Sequence, residues 1–506
     1  MEPIRRLRAG LLAAGLAFAA AAGLAGCTQN PATGRSQFTA FVSTEEEVKI
    51  GREEHPKVLA EFGGAYDDPK LAAYLQRLGD GLVARSEMAG QKFTFTVINS
   101  DIYNAFALPG GYVYITRGLL ALMSNEAELA SVIGHEIGHV TARHTAERIS
   151  RAQAGNIFTN ILGIGVSILT GSGQAGSLAA QAAGGGAALW LAGFSREQEF
   201  EADKLGVRYM AGQGYDTREA ADMLAKLGEG SKLYARVLGR PAESAEEFSI
   251  LQSHPRTGDR VTAATQAARE QGMVERANPR LGEDEYFAAI EGLAYGGDAD
   301  SGFVRANAFI HPKLKFRFEA PPGFRLINGE QNVRAMGPDG GVITLDARTP
   351  PRGLEPVEFL TGVWARGVRL QNVERIEVNG MPAASGATQI DGPNGTVAAR
   401  LVVIKHPGGA FYRLLFTAPP ASFGKFAEGF RRTTYSFRAL ADAEARDAHP
   451  LRIRIVAARP GDTQETFVRR MATGDGFDAD RFRIYNGLKE GEAPVPGRRY
   501  KIVADR

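Results

Sequence analysis

The pentapeptide from His135 to His139 constrains the fold of this 506-residue chain more than any other feature of the sequence. Its two histidines are four residues apart, slightly more than one helical turn, so both imidazoles project from one face of a helix. Glu136 lies beside them, and the flanking Val132 and Val140 are apolar. Because histidine and glutamate side chains are costly to bury without partners, the pattern predicts an embedded helix that binds a metal ion.

The H-E-x-x-H spacing is typical of zinc, and catalytic zinc usually has three protein ligands. A metzincin would have glycine and histidine at the positions of Ala142 and Thr145, which excludes that class. A carboxylate from a later helix remains, and the segment 195–203 contains four of them. Glu199 and Asp203 share a helix face, so one can coordinate the metal while the other orients a ligand histidine.

Other polar residues near these segments have simpler interpretations. Glu197 and Glu201 lie on other faces of the predicted helix, and an acidic cluster alone can be a solvated helix face. His144 is one place away from the metzincin position, so we interpret it as a helix-surface residue or as a neighbour of a ligand.

Three segments together resemble a known family. The segment 104–111 (Asn-Ala-Phe-Ala-Leu-Pro-Gly-Gly), the histidine pentapeptide and the segment 195–203 are similar to the gluzincin zinc metallopeptidases that include HtpX, the CAAX prenyl endopeptidases, BepA and LoiP. The resemblance covers roughly residues 45–271. It implies that Glu199 is the third ligand of one zinc ion and that Asp203 orients a ligand from outside the coordination shell.

The reaction predicted from these parts is peptide-bond hydrolysis. Zinc polarises the scissile carbonyl and activates water, while Glu136 takes up a proton as general base and returns it to the leaving amine. The resemblance implies that Arg260 lies near the site as a candidate stabiliser of the oxyanion. A second class of function is a lipid-anchored chaperone or assembly scaffold with little or no proteolysis, but such a scaffold has no need of the Glu136 carboxylate.

The resemblance also implies how substrate and inhibitor reach the zinc. The strand Tyr112–Thr116, with Tyr112, Val113 and Tyr114, is expected to be a sheet edge that pairs with an extended substrate. His254 is expected to lie over the zinc as a fourth, inhibitory ligand. A turn histidine before a proline is an equally good interpretation of His254.

The amino terminus has the pattern of an export signal. Three arginines among the first eight residues precede a charge-free stretch over 9–26, which ends in small residues before Cys27, the chain's only cysteine. We predict a lipoprotein signal peptide over 1–26, since the pattern resembles a bacterial lipobox that would acylate Cys27 and anchor it in a membrane. Thr28, and not aspartate, follows the cysteine. By the usual enterobacterial sorting rule for lipoproteins, this favours the outer membrane over the inner one, with the protein facing the periplasm. The alternative is an ordinary cleaved signal.

Charge and length limit the remaining possibilities. Lysine plus arginine number 59 and aspartate plus glutamate 57, so no basic excess favours a nucleic-acid partner. The expected partners are misfolded or assembling envelope proteins. Residues 153–194 carry no charge; a helical hairpin over the active site, or one that touches the bilayer, is favoured over a transmembrane hairpin.

The length indicates two to four domains. We predict a multidomain chain: a mainly α-helical, zincin-type metallopeptidase domain with a small β-sheet (27–282), a linker (283–301), an α+β domain of unknown role (302–440) and a small βααβ module (449–506). The module resembles LysM in its Gly-Asp-Thr, Asn-Gly-Leu and Pro-Gly sequences. A LysM module would bind peptidoglycan, and a small α/β cap without a ligand is the alternative.

Overall fold

The chain divides into two compact units, Met1–Gly228 with Glu246–Ala289 and Glu229–Ala245 with Ile290–Arg506. The computed structural model describes residues 27–154, 193–247, 254, 258–271, 278–329, 332–351, 353–392 and 395–505. The predicted signal peptide and most of the uncharged segment lie outside these ranges. Within them, no helix combines the length and apolar character needed to cross a bilayer.

The first unit is mainly helical and contains two small sheets. Its elements are β1 (Cys27–Gln29), β2 (Ser36–Phe38), α1 (Thr44–Glu61), α2 (Pro69–Val83), β3 (Thr94–Ile98), β4 (Ala105–Leu108), β5 (Tyr112–Thr116), α3 (Arg117–Leu122), α4 (Glu126–Thr141), α5 (Arg196–Gln213), α6 (Glu219–Val237), α7 (Gly258–Glu270) and α8 (Glu283–Ile290). Residues 144–154 are also helical. The prediction of a helical domain with a small sheet is confirmed for this unit.

Helix α4 carries the histidine pentapeptide, and every one of its residues is buried. Asn125 caps its first turn by accepting a hydrogen bond from the backbone amide of Glu128 at 2.8 Å. The Glu128 carboxylate accepts from the amide of Ser124 at 2.7 Å. These two bonds satisfy amides that the first turn of a buried helix would otherwise leave unpaired.

Helix α4 ends at Thr141, before His144. Arg143 interrupts it with a φ of 54°, in the left-handed region. Such a residue costs about 1–3 kcal/mol. The Arg143 side chain donates to the Glu47 carboxylate and to the carbonyl of Val42, each at 2.8 Å, and these charge-assisted bonds offset that cost.

The small sheet near α4 has the strand order β3-β5-β4. β5 is therefore the central strand, parallel to β3 and antiparallel to β4. The prediction that Tyr112, Val113 and Tyr114 form a sheet edge is wrong, because the segment 105–108 forms a strand on the other side of β5.

The two outer edges of this sheet differ. The edge of β3 is covered, since the amide of Tyr66 donates to Val97 at 2.8 Å and the amide of Asn99 donates to Gly64 at 2.9 Å. No described strand pairs with the outer edge of β4. β4 also packs against α4, so the open edge belongs to the strand beside the histidine helix.

Helices α4 and α5 approach each other closely through glycines. A Cβ atom added to Gly206 would lie 2.8 Å from the backbone nitrogen of His135 and 3.0 Å from the carbonyl carbon of Gly134. A Cβ on Gly138 would lie 2.9 Å from the backbone oxygen of Ala202. Side chains at these positions would separate the helices, so glycine sets the distance between them.

The second unit is an α+β structure. Its elements are β6 (Ala294–Tyr295), β7 (Phe303–Arg305), β8 (Ala308–His311), β9 (Phe316–Glu319), β10 (Arg325–Asn328), β11 (Val333–Met336), β12 (Val342–Arg348), α9 (Pro356–Phe359), β13 (Gln371–Val378), β14 (Met381–Gly392), β15 (Gly395–Lys405), β16 (Phe411–Ala418), α10 (Pro420–Ser436), β17 (Arg438–Ala439), α11 (Asp442–Asp447), β18 (Leu451–Ala457), α12 (Gln464–Val468), α13 (Asp478–Tyr485) and β19 (Arg499–Ala504). Its seven-stranded sheet has the order β10-β11-β12-β16-β15-β14-β13.

Two further sheets complete the second unit. The strands β17-β9-β8-β7 form one, and β19-β18-β6 form the other. The last four elements follow the predicted strand-helix-helix-strand order, with β18 antiparallel to β19. The segment 283–301, predicted to be a linker, instead contains helix α8 and strand β6. β6 pairs with β18 and so belongs to the same sheet as the C-terminal module.

Replacing Gly206 by alanine tests the close approach of α4 and α5. We expect Gly206→Ala to lower the free energy of unfolding by about 1–3 kcal/mol, because its Cβ meets backbone that cannot move aside alone. The matched control is Gly212→Ala on the same helix, where the Cβ would lie 3.1 Å from the flexible Arg85 side chain. Alanine favours a helix over glycine by about 1 kcal/mol. The melting temperature of metal-free Gly212→Ala should therefore equal or exceed that of the metal-free wild-type protein. Equal melting temperatures for the two variants would contradict the packing argument.

Candidate metal centre

The histidines of α4 place their Nε2 atoms 3.0 Å apart. The ligand atoms of His135, His139, Glu199 and His254 all lie within 4.8 Å of one another. Zinc bonds histidine nitrogen at about 2.0–2.1 Å, which puts neighbouring donors of a tetrahedral site about 3.3 Å apart. The four side chains are buried, with 9%, 2%, 1% and 4% of their surfaces exposed. The cluster has the donor types and the spacing of one zinc site.

Glu199 reaches the histidine pair from α5. Its Oε1 lies 3.5 Å from His139 Nε2, and its Oε2 lies 3.6 Å from His135 Nε2. Ser195 begins α5 with a capping box and so fixes which residues of the helix face α4. The carboxylate that the family resemblance implied as third ligand therefore lies between the two imidazoles.

His254 lies on the remaining side of the cluster. Its Nδ1 is 2.9 Å from Glu199 Oε1 and 3.2 Å from His135 Nε2. Its Nε2 is 3.6 Å from an oxygen of Glu136. The structure thus places His254 where a fourth ligand would stand, rather than in a solvated turn.

Glu136 lies beside the ligand atoms of the cluster. It is buried, and its Oε1 has no hydrogen-bond partner among the described residues. An acceptor of this kind is costly to leave unmatched, so its position beside the ligand atoms fits a carboxylate that receives a proton from water at the metal. Burial raises the pKa of Glu136, although the charges of His254 and His135 oppose that shift.

His135 is oriented by a carboxylate and an arginine. Asp203 Oδ1 lies 2.8 Å from His135 Nδ1, which leaves Nε2 free for the metal. Arg260 donates to both oxygens of Asp203, at 2.8 and 2.7 Å, and its Nη1 lies 2.7 Å from Glu199 Oε2. Arg260 therefore holds two carboxylates of the site. These contacts support a positioning role for Arg260, and its predicted role at the oxyanion stays a prediction.

His139 is oriented by a second histidine. The Nδ1 atoms of His139 and His144 are 2.8 Å apart, and His144 Nε2 lies 3.1 Å from Glu201 Oε2. Burial lowers the pKa of both histidines, so their neutral forms are favoured, as metal binding requires. The turn at Arg143 brings His144 under His139. The sequence alone placed Glu201 away from the site, because it gave no sign of this turn.

A small cavity opens beside His135 and Glu136, with a volume of about 50 Å³. A single water molecule needs about 10–15 Å³ of such space, so the cavity is large enough for more than one water molecule. Most of its lining is apolar and comes from α4, α5, α6 and α7: Val132, Val207, Ala220, Met223, Leu224, Leu227 and Ala264.

Comparison with known proteins agrees with this geometry. Residues 69–268 match the profile of peptidase family M48. This region is similar to family M48 over about 200 residues. It includes His135, His139 and Glu199, and the zinc of M48 metallopeptidases fits the cluster that these residues form.

Several curated proteins are similar to the M48 region. The beta-barrel assembly-enhancing protease of Yersinia pestis is 33% identical over 237 residues, which are 46% of this chain and 46% of that protein. The Escherichia coli (strain K12) protein of the same name is 33% identical over 229 residues, covering 45% of this chain and 44% of the relative. The chain thus spans less than half the length of these relatives.

Other proteins match a smaller part of the chain. The mitochondrial metalloendopeptidase OMA1 of Arabidopsis thaliana is 37% identical over 147 residues, covering 29% of this chain and 28% of that protein. The solution structure of cyanobacterial PsbP from Synechocystis sp. PCC 6803 covers 27% of this chain and 94% of its own, with 11% identity and a TM-score of 0.22. That score is too low to indicate a shared fold.

Zinc should stabilise the M48 region through this cluster. A ligand that binds only the folded state at 100 times its Kd adds about 2.7 kcal/mol, so zinc should raise the melting temperature and a chelator should reverse the effect. Glu199→Gln should lose most of the shift, because an amide is a weaker ligand than a carboxylate. Glu197→Gln on the same helix should keep it, since Glu197 is exposed. A full zinc response in Glu199→Gln would rule out Glu199 as a ligand.

Proposed function

We propose that the M48 region is a zinc-dependent endopeptidase. The proposal rests on a buried His-His-Glu cluster next to the Glu136 carboxylate, whose Oε1 accepts no hydrogen bond from the described residues. Zinc held by His135, His139 and Glu199 would supply Lewis-acid polarisation of the scissile carbonyl and of water. Glu136 would accept the proton from water and return it to the leaving amine.

The open edge of β4 is the proposed site for the substrate backbone. The amide of Thr116 donates to the carbonyl of Asn104 at 3.0 Å, and hydrogen-bonded pairs alternate along an antiparallel ladder. By this alternation, Phe106 and Leu108 bond to β5, whereas Ala105 and Ala107 direct their backbone groups to the outer edge. An extended peptide can pair there in the manner first expected of β5.

The cavity beside Glu136 supports binding of an apolar substrate side chain next to the scissile bond. Its apolar lining suits an aliphatic side chain such as valine, leucine or methionine. Such a pocket would favour segments that are buried in folded proteins, because those segments are rich in aliphatic residues. This preference fits an enzyme that acts on unfolded or unassembled chains.

We propose that these chains are misfolded or assembling proteins of the cell envelope. The relatives named for enhancing beta-barrel assembly support this substrate class. Cys27, the proposed lipidation site, is three residues before Asn30, whose side chain donates to the carbonyl of Thr141 at the end of α4. Three extended residues span about 10 Å, so acylation of Cys27 would hold the metal centre close to a membrane surface, in the outer membrane by the predicted sorting.

The C-terminal module (449–506) is proposed to bind peptidoglycan. Its support is the resemblance to LysM together with the strand-helix-helix-strand order of β18, α12, α13 and β19. Sedimentation with purified sacculi tests this role. A chain truncated after Ala448 should lose sedimentation that the full chain shows, and equal sedimentation would refute glycan binding by the module.

A scaffold with proteolysis shut off is the second candidate, and the position of His254 favours it. His254 lies within 3.2 Å of His135 and 2.9 Å of Glu199, where water or substrate would need to bind. Both functions are compatible if His254 is an inhibitory ligand that substrate displaces. If the site never cleaves a substrate, only the scaffold function remains.

Glu136→Gln separates the enzyme from the scaffold. We expect this variant to bind zinc normally and to lose at least 100-fold in cleavage of an unfolded envelope protein, because the amide cannot accept the proton. In the same assay, His254→Ala should raise cleavage above that of the wild-type protein. Cleavage at the wild-type rate by Glu136→Gln would contradict the mechanism, and zinc content measured on each variant controls for loss of the metal.

Site-specific cross-linking tests the β4 edge. A photoreactive residue at Ala107, in the Glu136→Gln protein, should capture an unfolded substrate chain. The matched control is the same residue at Val373 in β13, which is an edge strand of the seven-stranded sheet. Cross-linking that is equal at both positions, or stronger at Val373, would show that β4 has no special role.

A further inference from the structure

Residues 27–47, which we call the N-terminal strap, bind the end of the histidine helix. Asn30 and Gln37 donate from their side chains to the carbonyls of Thr141 and Ala142, at 3.0 and 2.6 Å. Both side chains are buried, with 2% and 1% of their surfaces exposed. The last carbonyls of a helix have no partner within it, so the strap satisfies groups that burial would otherwise leave unpaired.

Arg35 extends this contact towards the metal ligands. Its Nε lies 3.0 Å from Glu201 Oε1, and its Nη2 donates to Glu147 at 2.9 Å. The other oxygen of Glu201 faces His144, whose ring meets His139. A continuous series of polar contacts therefore runs from the strap to a ligand of the metal.

The chemistry of this series fixes the tautomers of its histidines. His139 faces the cluster with Nε2, so its Nδ1 carries the proton and donates to Nδ1 of His144. The proton of His144 then lies on Nε2, where only an acceptor such as the Glu201 carboxylate can pair with it. Arg35 supplies the positive charge beside that carboxylate. Glu201 holds the ring of His144, and His144 in turn accepts the hydrogen bond from His139. The orientation of His139 therefore depends on the position of Glu201.

The two ligand histidines are supported in parallel ways. Asp203 and Arg260 stand behind His135, while His144, Glu201 and Arg35 stand behind His139. Arg260 lies within the stretch 69–268 that matches family M48, and Arg35 lies outside it. The second arrangement thus depends on a residue that the family match does not include.

We propose that Arg35 is a positioning residue of the metal centre. It holds the Glu201 carboxylate against His144 and thereby orients His139 for the metal. The inference deepens the proposed function, since it concerns the same zinc site. A simpler role would be to attach the strap through Glu147 alone. Arg151 provides the comparison, because its ion pair within the described part of the chain is with Glu147, at 2.7 Å, and not with Glu201.

The experiment measures zinc affinity by competition with a chelator, in the full chain. Mutation of a residue that contacts a metal ligand directly typically lowers metal affinity by about 10- to 100-fold. Arg35 contacts His139 only through Glu201 and His144, so we expect the smaller effect that Arg35→Ala weakens zinc binding by about 3- to 10-fold. Arg35→Lys, which keeps the charge, should recover most of the affinity. Arg151→Ala should bind zinc as the wild-type protein does. Melting temperatures of the metal-free proteins report on folding separately.

Glu201→Gln keeps the proposal testable if Arg35→Ala unfolds the strap. This variant leaves the pairing of Arg35 with Glu147 intact but weakens the acceptor for His144, so it should lose zinc affinity to a similar extent. The double variant Glu201→Gln with Arg35→Ala should lose little more zinc affinity than either single variant, because the two residues act through one series of contacts. Unchanged affinity in Glu201→Gln, or equal losses in Arg35→Ala and Arg151→Ala, would overturn the proposal. Absence of zinc binding in the wild-type protein would instead contradict the proposed function.

Discussion

The close approach of α4 and α5 is the constraint on which the metal centre depends. Gly134 and Gly206 let the two backbones nearly touch, so short carboxylate side chains on α5 can reach imidazoles on α4. Glu199 has only two methylene groups between backbone and carboxylate, and Asp203 has one. Moving the helices apart by the width of a methyl group would exceed the reach of either side chain. The ligand geometry therefore follows from the backbone packing.

The buried site is stable because most of its charged and polar groups form an ion pair or a hydrogen bond. Arg260 pairs with two carboxylates, which lowers the pKa of Asp203 despite its burial. Burial alone would also raise the pKa of Glu199, yet the neighbouring histidines lower it. Oε1 of Glu136 differs from these groups, because it accepts no hydrogen bond from the described residues and His254 Nε2 lies 3.6 Å away. A buried acceptor without a hydrogen bond is retained at a cost, and it can take up a proton.

Local patterns in the sequence predicted the geometry of the histidine pair, but they did not predict the strand order or the end of the histidine helix. The spacing of His135 and His139 involves neighbours within about one helical turn, so the sequence predicted that both face the same side of a helix. The order of strands around β5 depends on a segment, 105–108, too short and too apolar to show a strand period. The break at Arg143 depends on contacts with Val42 and Glu47, which are distant along the chain.

The structural unit that supports the metal centre is larger than the stretch matched to family M48. The match begins at residue 69, but Tyr66 covers the edge of β3, and the strap caps α4. A protein cut at residue 69 would expose helix carbonyls beneath the ligand histidines and leave Arg143 without Glu47. The left-handed turn would then lack the bonds that offset its strain, and His144 would lose its fixed place. The residues beside the proposed lipid anchor are, for this reason, part of the metal centre's support.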